Sequence, residues 1–523
     1  MRARDNLQSD VLVVGYGPVG AALGCLLGQS GVNAIIIDKA EKIFTAPRAI
    51  SLDNEALRIL QLVGLGEDAF ERVAIPFVKM HCPYVGEFSH INTKGKINEH
   101  QKLVTFYQPE LEEALRNAVD KCESISTFLG VKFCSFEQDS IGVKAKVILP
   151  DGSMTTISAK YLIAADGATS EIRKAIGQDF NGHTYSEEWL IIDARNVASP
   201  IDHIEFCCDP KRPSPHMIAP GNRERWEFML HPNESSVVME SDSMIKKLLA
   251  PWGNSDEMEI ERRAVYRFHA RCCNSFSKDR VFLVGDAAHV TPPFVGQGLV
   301  AGLRDVENIS WKLAFVLNNG ANPRILNSYD AERRPHARNM IMLAKFMGKM
   351  VMPRNAVFAI TLHGIMKLLG SIPLIRTWFD ELGIKPGNRL REGLFVKRRG
   401  SVKNGTSFPQ VKLRNMQGEV VLSDNLLGHG LTLIGLGCNP ADYLSAEARQ
   451  NFIASGGKVL HVVSGGSEQV LIKEAWIDDS RVLLADCGSN GQVVILRPDH
   501  VVLSSGPAEE LAPALRECIA LFE

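Results

Sequence analysis

The chain has 523 residues, which at about 150 residues per domain implies two to four domains with room for a large core. It is 45% hydrophobic and 23% charged, and 58 Lys and Arg against 60 Asp and Glu leave a formal charge of -2. That is the composition of a soluble globular protein, and the near-neutral balance excludes the polyelectrolyte signature of a nucleic-acid binder. The 11 cysteines include the neighbours Cys207-Cys208 and Cys272-Cys273, but no Cys-x-x-Cys and no metal-ligand spacing. A disulfide scaffold is excluded, no metal site is expected, and a reducing cytoplasmic compartment fits best.

The polar stretch Met1–Asp10 leads into the short apolar run Val11–Val14, which reads as a strand rather than a signal-peptide core. Gly15-x-Gly17-x-x-Gly20 follows as a turn, with Pro18 inside it. Ala21–Gln29 carries helix formers and Asn33–Ile37 is a second strand, which makes a βαβ unit. Gln108–Cys122 is an amphipathic helix, and Val143–Leu149 and Thr155–Tyr161 flank the Pro150-Asp151-Gly152 turn of a hairpin. Tyr161–Ala165 and Arg280–Val284 are buried strands, each ending before a Gly/Asp turn. Glu188–Val197, Ile204–Cys208 and Arg225–Leu230 suggest a largely antiparallel sheet between them. Long helices are expected over Gly302–Leu317 and Tyr329–Met352. Ala356–Leu369 is shorter than the ~20 residues of a membrane span and is interrupted by His363 and Lys367, so an amphipathic or buried helix is expected and no membrane contact. A Gly-, Arg-, Lys- and Pro-rich connection spans Lys385–Gln410. Beyond it Gly430–Leu436, Lys458–Val463 and Gln492–Leu496 are strands of a small α/β domain.

The glycine turn lies between strand and helix, the context a dinucleotide site requires. Gly15 permits the tight turn, Gly17 lets a pyrophosphate approach the backbone, and Gly20 lets helix and strand pack closely. The diphosphate would face the helix N-terminus at Pro18. Asp38, with Lys39 beside it, closes the second strand where an acid binds ribose hydroxyls.

Two further turns follow strands: Asp166-Gly167-Ala168-x-Ser170-x-x-Arg173, and Gly285-Asp286-Ala287-Ala288-His289. The second runs on into Pro292-Pro293-Phe294-x-Gly296-Gln297-Gly298. In this order the set resembles the group A flavoprotein aromatic hydroxylases. Pro47-Arg48-Ala49, Gln108, Arg304-Asp305-x-x-Asn308-x-x-Trp311-Lys312-Leu313 and Tyr329-x-x-Glu332-Arg333-Arg334-Pro335 add to the match. The resemblance implies FAD as cofactor, NADPH or NADH as co-substrate, and Asp286 on a ribityl hydroxyl. It also implies Arg48 against the pyrophosphate, Gln108 near the ribityl or phosphate, and Asp166 serving FAD and NADPH together. Arg173 is then a partner for Asp166 or for the NADPH phosphate. After Gly298 the family often places an Asn where this chain has Val300: the change is tolerable if the backbone N–H groups of Leu299 and Val300 hold the flavin pyrimidine edge, and it alters specificity or flavin movement if the Asn side chain also shapes the loop or the pocket.

The implied reaction is hydroxylation of an activated ring with O₂ through a flavin C4a-hydroperoxide. Pro292, Pro293 and Phe294 would wall the reactive flavin edge. Phe206-Cys207-Cys208-Asp209-Pro210-x-Arg212-Pro213, Arg225-Trp226-Glu227-Phe228-Met229, Gly437-Cys438-Asn439-Pro440 and Leu496-Arg497-Pro498-Asp499 point more narrowly to the 3-(3-hydroxyphenyl)propionate hydroxylase branch. Tyr185, Arg225 and Trp226 are candidates for the substrate pocket, and His216 and Pro293 for catalysis. The expected architecture is a Rossmann-like α/β FAD-binding domain (1–76, 103–180, 270–345) interleaved with a mostly antiparallel-sheet substrate domain (77–102, 181–269). A helical segment and linker (346–405) and a thioredoxin-like domain without a redox Cys pair (406–523), structural or dimer-supporting, complete it. A flavin-dependent halogenase lacks support because no Trp-x-Trp-x-Ile-Pro occurs, and a nicotinamide dehydrogenase leaves Asp286 unexplained. A related monooxygenase of heteroaromatic or polyketide substrates, or a non-catalytic FAD-binding protein, stands as the alternative.

Overall fold

The computed structural model describes residues 7–254, 256–372, 387–396, 398, 400, 402–465, 475–486 and 491–523. Within the linker expected over 346–405, residues 373–386, 397, 399 and 401 lie outside the described residues. The fold is mixed α/β, and the described chain forms two compact units. The first takes residues 7–28, 33–306 and 337–372; the second takes 29–32, 307–336 and the described residues from 387 onward.

Two sheets build the first unit. One has a parallel core in which Ile125–Leu129, Ala34–Asp38, Leu7–Val14 and Met154–Ala164 lie side by side. Their β-branched centres, such as Val11–Val14 and Ile35–Ile37, are buried, as strands covered on both faces require. The long strand Met154–Ala164 serves two neighbours. Its first half forms the expected hairpin with Val143–Ile148, and its last residues pair in parallel with Val281–Leu283. The second sheet is largely antiparallel and runs His289–Val290, Glu259–Cys273, Phe180–Arg195, Arg223–Met229, Ser214–Ala219, Ile204–Cys207, Phe77–Cys82, Gly86–Asn92. Its single parallel pair joins Ile204–Cys207 to Phe77–Cys82.

The helix expected from Gly302 begins four residues earlier and spans Gly298–Asn318, because Gly296 in the left-handed region (φ 62°) turns the chain into it. Ser328–Val351 continues through Pro335. The apolar helix Ala356–Gly370 buries Ala359 and His363, while Val357, Ile360, Ile365 and Leu368 stay exposed. No helix among the described residues is long and apolar enough to cross a membrane. All ten cysteines among the described residues are free thiols, and no metal-holding cluster of His, Cys, Asp or Glu occurs among them.

The second unit centres on a mixed sheet ordered Val420–Leu422, Lys412–Arg414, Ala475–Asp478, Lys458–Ser464, Thr432–Leu436, Gln492–Leu496, Val502–Pro507. Three of these are the apolar runs evident in the sequence. The unit also gathers motif residues from far apart in the chain. Glu332 accepts both guanidinium nitrogens of Arg497 at 2.8 and 3.0 Å, and Lys312 Nζ at 2.8 Å. Asn308 donates to the same carboxylate at 2.6 Å, and the Leu394 amide at 2.8 Å. Asp499 accepts Arg497 Nε at 2.9 Å and the Trp311 indole N–H at 3.1 Å. Glu332, Lys312 and Arg497 are all fully buried. Burial brings the Lys312 ammonium down to about 8. Burial also opposes ionisation of Glu332, yet the Arg497 and Lys312 charges hold its carboxyl well below the usual range.

Candidate active site

Parallel register sets the site. Val14 lies opposite both Ile37 and Ala164, and Ala164 lies opposite Leu283. The turns at Gly15–Gly20, Asp38–Lys39, Asp166–Gly167 and Gly285–Asp286 therefore leave the sheet along one edge, at the carboxyl ends of its strands, where open α/β sheets bind ligands.

The three glycines of the first turn have different neighbours. A Cβ on Gly15 (φ 108°) would stand 2.2 Å from the Ala165 carbonyl oxygen, and one on Gly20 would stand 2.0 Å from that of Gly15. A Cβ on Gly17 would meet nothing within 4 Å, and the same holds for Gly298. The fold itself demands the first two, while Gly17 and Gly298 border open space. Pro18 opens the helix Pro18–Gln29, and the first helical bond runs from the Ala21 amide to Gly17 at 2.9 Å. The preceding amides have no acceptor one turn back and are available to an anion. Asp38 accepts the Tyr16 amide at 2.6 Å on one oxygen and the Ala40 amide at 2.7 Å on the other, which locks strand end to glycine turn. Lys39 beside it is exposed.

Gln108 is the first residue of its helix, but the N-cap is Tyr107. Its amide oxygen accepts the backbone N–H groups of Arg48 and Ala49, both at 2.9 Å, so it braces the Pro47–Ala49 loop. The Arg48 side chain is exposed and lies over the Phe44 ring.

Gly285 (φ 56°) and Gly302 both press on Val19: a Cβ at Gly302 would lie 2.6 Å from Val19 and 3.2 Å from the Gly285 Cα. Three motifs thus touch. Asp305 accepts the Gly285 amide at 3.0 Å and His289 Nε2 at 2.7 Å, and so holds the turn that carries Asp286. The sequence displays both His289 and Asp305 inside its motifs, but their pairing is visible only in three dimensions. Among the described residues no group donates a hydrogen bond to Asp286; burial pushes its carboxyl up, opposed by the charges of His289 and Arg48. A carboxylate in that state fits a hydroxyl-bearing ligand. The next loop is held by Arg304, which donates to Glu55, Gln297 and Asp53 at 2.7, 3.0 and 3.2 Å. The amides of Gly298, Leu299 and Val300 head the helix, whose first bond is Ala301 to Gln297. Val300 is 0% exposed, so its side chain is core and only its backbone can serve a ligand. Pro292 and Phe294 are buried and Pro293 is exposed. Open space at Gly17 and Gly298, unpaired helix-head amides and a partnerless Asp286 together fit FAD.

Asp166 and Arg173 form no ion pair. One Asp166 oxygen accepts the Glu171 amide at 3.0 Å and the other is buried without a partner; burial pushes this carboxyl up. Arg173 donates to the Ala287 and Ala168 carbonyls at 2.9 and 2.8 Å and stacks on Phe180, being 4% exposed. It joins two loops and presents no charge to a phosphate.

The pocket candidates divide by strand alternation. Trp226 and His216 face away from the nucleotide turns: Trp226 packs with Leu190, Ile192 and Phe228, and His216 stacks on it at 4.7 Å. His216 is 0% exposed and lies between Glu224 (2.6 Å) and Glu205 (3.4 Å), so it reaches no substrate. Arg225 is on the other face, bound to Asp193 at 2.6 and 2.9 Å and to the Arg48 and Pro47 carbonyls at 3.2 and 3.0 Å. Its charge is taken up by Asp193, and it supports the loop of Arg48 rather than binding a substrate carboxylate. Tyr185 alone of the four stands beside the Pro293 turn, with its ring 6.1 Å from Phe294. It borders an apolar cluster of Trp189, Phe268, Phe294, Met347 and Met350.

The His216 pair carries a pH signature. Burial lowers the imidazole's affinity for a proton, but Glu205 and Glu224 outweigh it and raise the pKa above 6.5. Its contribution to stability is complete below ~6.5 and is lost as pH rises through the raised value. The His216 hydrogen bond holds Glu205 at about 2, so that contribution is present above the ordinary Glu value and lost as pH falls toward 2. The Tm deficit of His216→Gln relative to wild type is expected to be largest near pH 6 and to shrink in alkaline buffer; a deficit independent of pH between 5 and 9 would contradict the pairing.

A family model described as FAD binding domain matches residues 8–344, and one described as HcaD C-terminal domain matches 405–521. The chain is 32% identical to the 3-(3-hydroxy-phenyl)propionate/3-hydroxycinnamic acid hydroxylase of Burkholderia cenocepacia (strain HI2424), over 98% of this chain and 96% of that one. It is 31% identical to the protein of the same name from Escherichia coli (strain 55989 / EAEC), over 99% and 95%. Among solved structures, the flavin-dependent monooxygenase PieE in complex with FAD and substrate matches 99% of this chain and 100% of its own, with TM-score 0.82 and 20% identity, a likeness of fold. With its convergent nucleotide turns, the chain belongs to the FAD binding domain family, among its flavin-dependent hydroxylases.

Proposed function

We propose that the protein hydroxylates a phenol bearing an acidic side chain, of the 3-(3-hydroxyphenyl)propionate or 3-hydroxycinnamate kind, using NADPH or NADH and O₂. The observation that carries this reading is the aromatic and methionine-lined cluster of Trp189, Phe268, Phe294 and Met347 beside the Pro292–Gly298 loop. Such a lining suits a flat ring and keeps water away from it. FAD, when bound, supplies hydride acceptance from the nicotinamide and activation of O₂ for transfer to the ring. The amides after Gly17 would hold its diphosphate, Asp38 its adenosine ribose, Asp286 the ribityl chain, and the Leu299 and Val300 amides the pyrimidine edge. Arg48 would stand against the pyrophosphate, on the loop that Gln108 and Arg225 brace. Asp166, with one oxygen unsatisfied, is the acceptor we assign to the nicotinamide co-substrate.

We assign flavin binding to the segments of the parallel sheet and substrate binding to the antiparallel one. The C-terminal unit we read as thioredoxin-like, supported by two helices, Ala446–Ala454 and Leu511–Ile519, and a sheet with a parallel trio beside an antiparallel pair. Without a redox cysteine pair it serves structure, and the free thiols suit the reducing cytoplasm.

The test is a visible absorption spectrum followed by NAD(P)H oxidation across a panel of phenols. Flavin absorbance and oxidation stimulated by 3-(3-hydroxyphenyl)propionate, with hydroxylated product in proportion, are expected. A protein that stays colourless with added FAD would overturn the flavin reading. Hydrogen peroxide as sole product, or stimulation only by polycyclic phenols, would overturn the substrate reading.

A further inference from the structure

Glu227 lies in the strand Arg223–Met229, opposite Ile191 on the neighbouring strand. Alternation puts it on the face of Arg225 and Met229. Arg225 reaches the Pro47 and Arg48 carbonyls, and Met229 packs against the cluster of Trp189, Phe268 and Phe294. Glu227 therefore occupies the seam between the loop assigned to the flavin and the chamber assigned to the ring. It is 7% exposed, and no described residue donates a hydrogen bond to its carboxylate. Buried carboxylates are rarely left so.

The charged groups that face it are Arg225 on its own strand, Asp193 on the strand Phe180–Arg195 and Arg262 on the strand Glu259–Cys273. None of their donors bonds Glu227: those of Arg225 are engaged elsewhere, and Arg262 Nε is buried without a partner among the described residues. Arg225 bonds Asp193 and the loop carbonyls, and Arg262 bonds Pro47 and the Tyr266 hydroxyl. Two guanidiniums and two carboxylates balance when Glu227 is ionised. A proton placed on Glu227 leaves one positive charge facing the chamber, which offsets an anion formed there.

Resting on the phenol reading above, we propose that Glu227 accepts the hydrogen bond of the substrate's phenol hydroxyl and takes its proton. The phenol O–H bond breaks, an O–H bond forms on a Glu227 carboxylate oxygen, and the electron pair left on the phenolate oxygen enriches the ring that is oxygenated. Burial pushes the Glu227 carboxyl up, against the pull of Arg225, which suits exchange with a phenol near neutral pH.

The experiment uses FAD-loaded enzyme and a nitro-substituted 3-(3-hydroxyphenyl)propionate, whose phenolate band reports ionisation on binding. Wild type is expected to show that band below the phenol's pKa in solution. Glu227→Gln is expected to bind the same probe within about threefold but to leave it protonated. Its kcat should fall at least tenfold and recover as pH approaches the phenol pKa. Glu227→Asp, which keeps the charge and the proton acceptor, should retain the band and most of the lost rate; it also serves as the test if the Gln variant fails to fold. A phenolate band undiminished in Glu227→Gln, or a rate loss that no pH recovers while flavin content falls, would overturn the assignment. If wild type binds no phenol of the panel, the functional reading fails first and this one with it.

Discussion

Gly17→Val is expected to fold as the flavin-free wild type does and yet to remain colourless. Beyond its chain neighbours, no atom of the described residues lies within 4 Å of the position its Cβ would take, so the apoprotein accommodates the branched side chain. Its backbone is not left-handed there, and a change of a few tenths of a kcal/mol in stability is the scale anticipated for the fold. The same side chain fills the approach to the helix-head amides of Val19 and Gly20. FAD affinity should fall by at least ~100-fold, equivalent to about 2.7 kcal/mol. Titration followed by flavin fluorescence gives the affinity, and a thermal melt of both apoproteins gives the fold. Gly20→Val provides the contrast. Its Cβ would lie 2.0 Å from the Gly15 carbonyl oxygen, so the protein should fail to fold rather than merely lose its cofactor. Equal flavin binding by wild type and Gly17→Val would show that the open space above this turn is not the diphosphate site.

Glu332→Ala should destabilise the C-terminal unit by about 3–5 kcal/mol, the usual cost of stranding a buried charge. Among the described residues the glutamate is the only carboxylate bonded to both Lys312 and Arg497; its removal leaves the fully buried Lys312 ammonium without a carboxylate partner, while Arg497 keeps Asp499. The Asn308 amide and the Leu394 N–H also lose their acceptor. Urea unfolding followed through Trp311, whose indole N–H is bonded to Asp499 in the same network, measures the loss. Joint replacement by Lys312→Met and Glu332→Leu, which leaves Arg497 paired with Asp499, is expected to cost less than Glu332→Ala alone, since well-packed apolar groups remove the desolvation penalty together with the attraction. A double variant less stable than the single one would mean that the network contributes net stability through its hydrogen bonds.

Glu332, Lys312 and Arg497 also show where motif reading stops. They stand in stretches that match the family as well as the nucleotide turns do, and nothing in a linear sequence separates a residue that touches FAD from one that holds the frame. The glycine turn was legible because its geometry requires a backbone without side chains, a property of residue type. The places of Asp38, Asp286 and Leu299–Val300 at strand ends and a helix head were legible because they follow from local order. The pocket candidates were not. Arg225 and Trp226 are adjacent, and strand alternation necessarily sends one toward the nucleotide loops and the other into the opposite core. Which goes where depends on what covers each face of the sheet. His216 has the chemistry of a catalyst, but two glutamates and a tryptophan enclose it.

The sequence by itself determined the parallel nucleotide-binding sheet, the order of its turns and the antiparallel sheet between them, since each is written in short-range patterns of glycine, apolar periodicity and strand-end acids; the flavin-dependent class was implied by the family resemblance of the ordered motifs. Tertiary structure alone decided that Arg173 and Gln108 brace loops, that Asp305 and His289 hold the turn of Asp286, that Val300 is core, and that no described residue donates a hydrogen bond to Glu227. Those assignments are facts about which donors and acceptors meet across tens to hundreds of residues, and only packing brings them together.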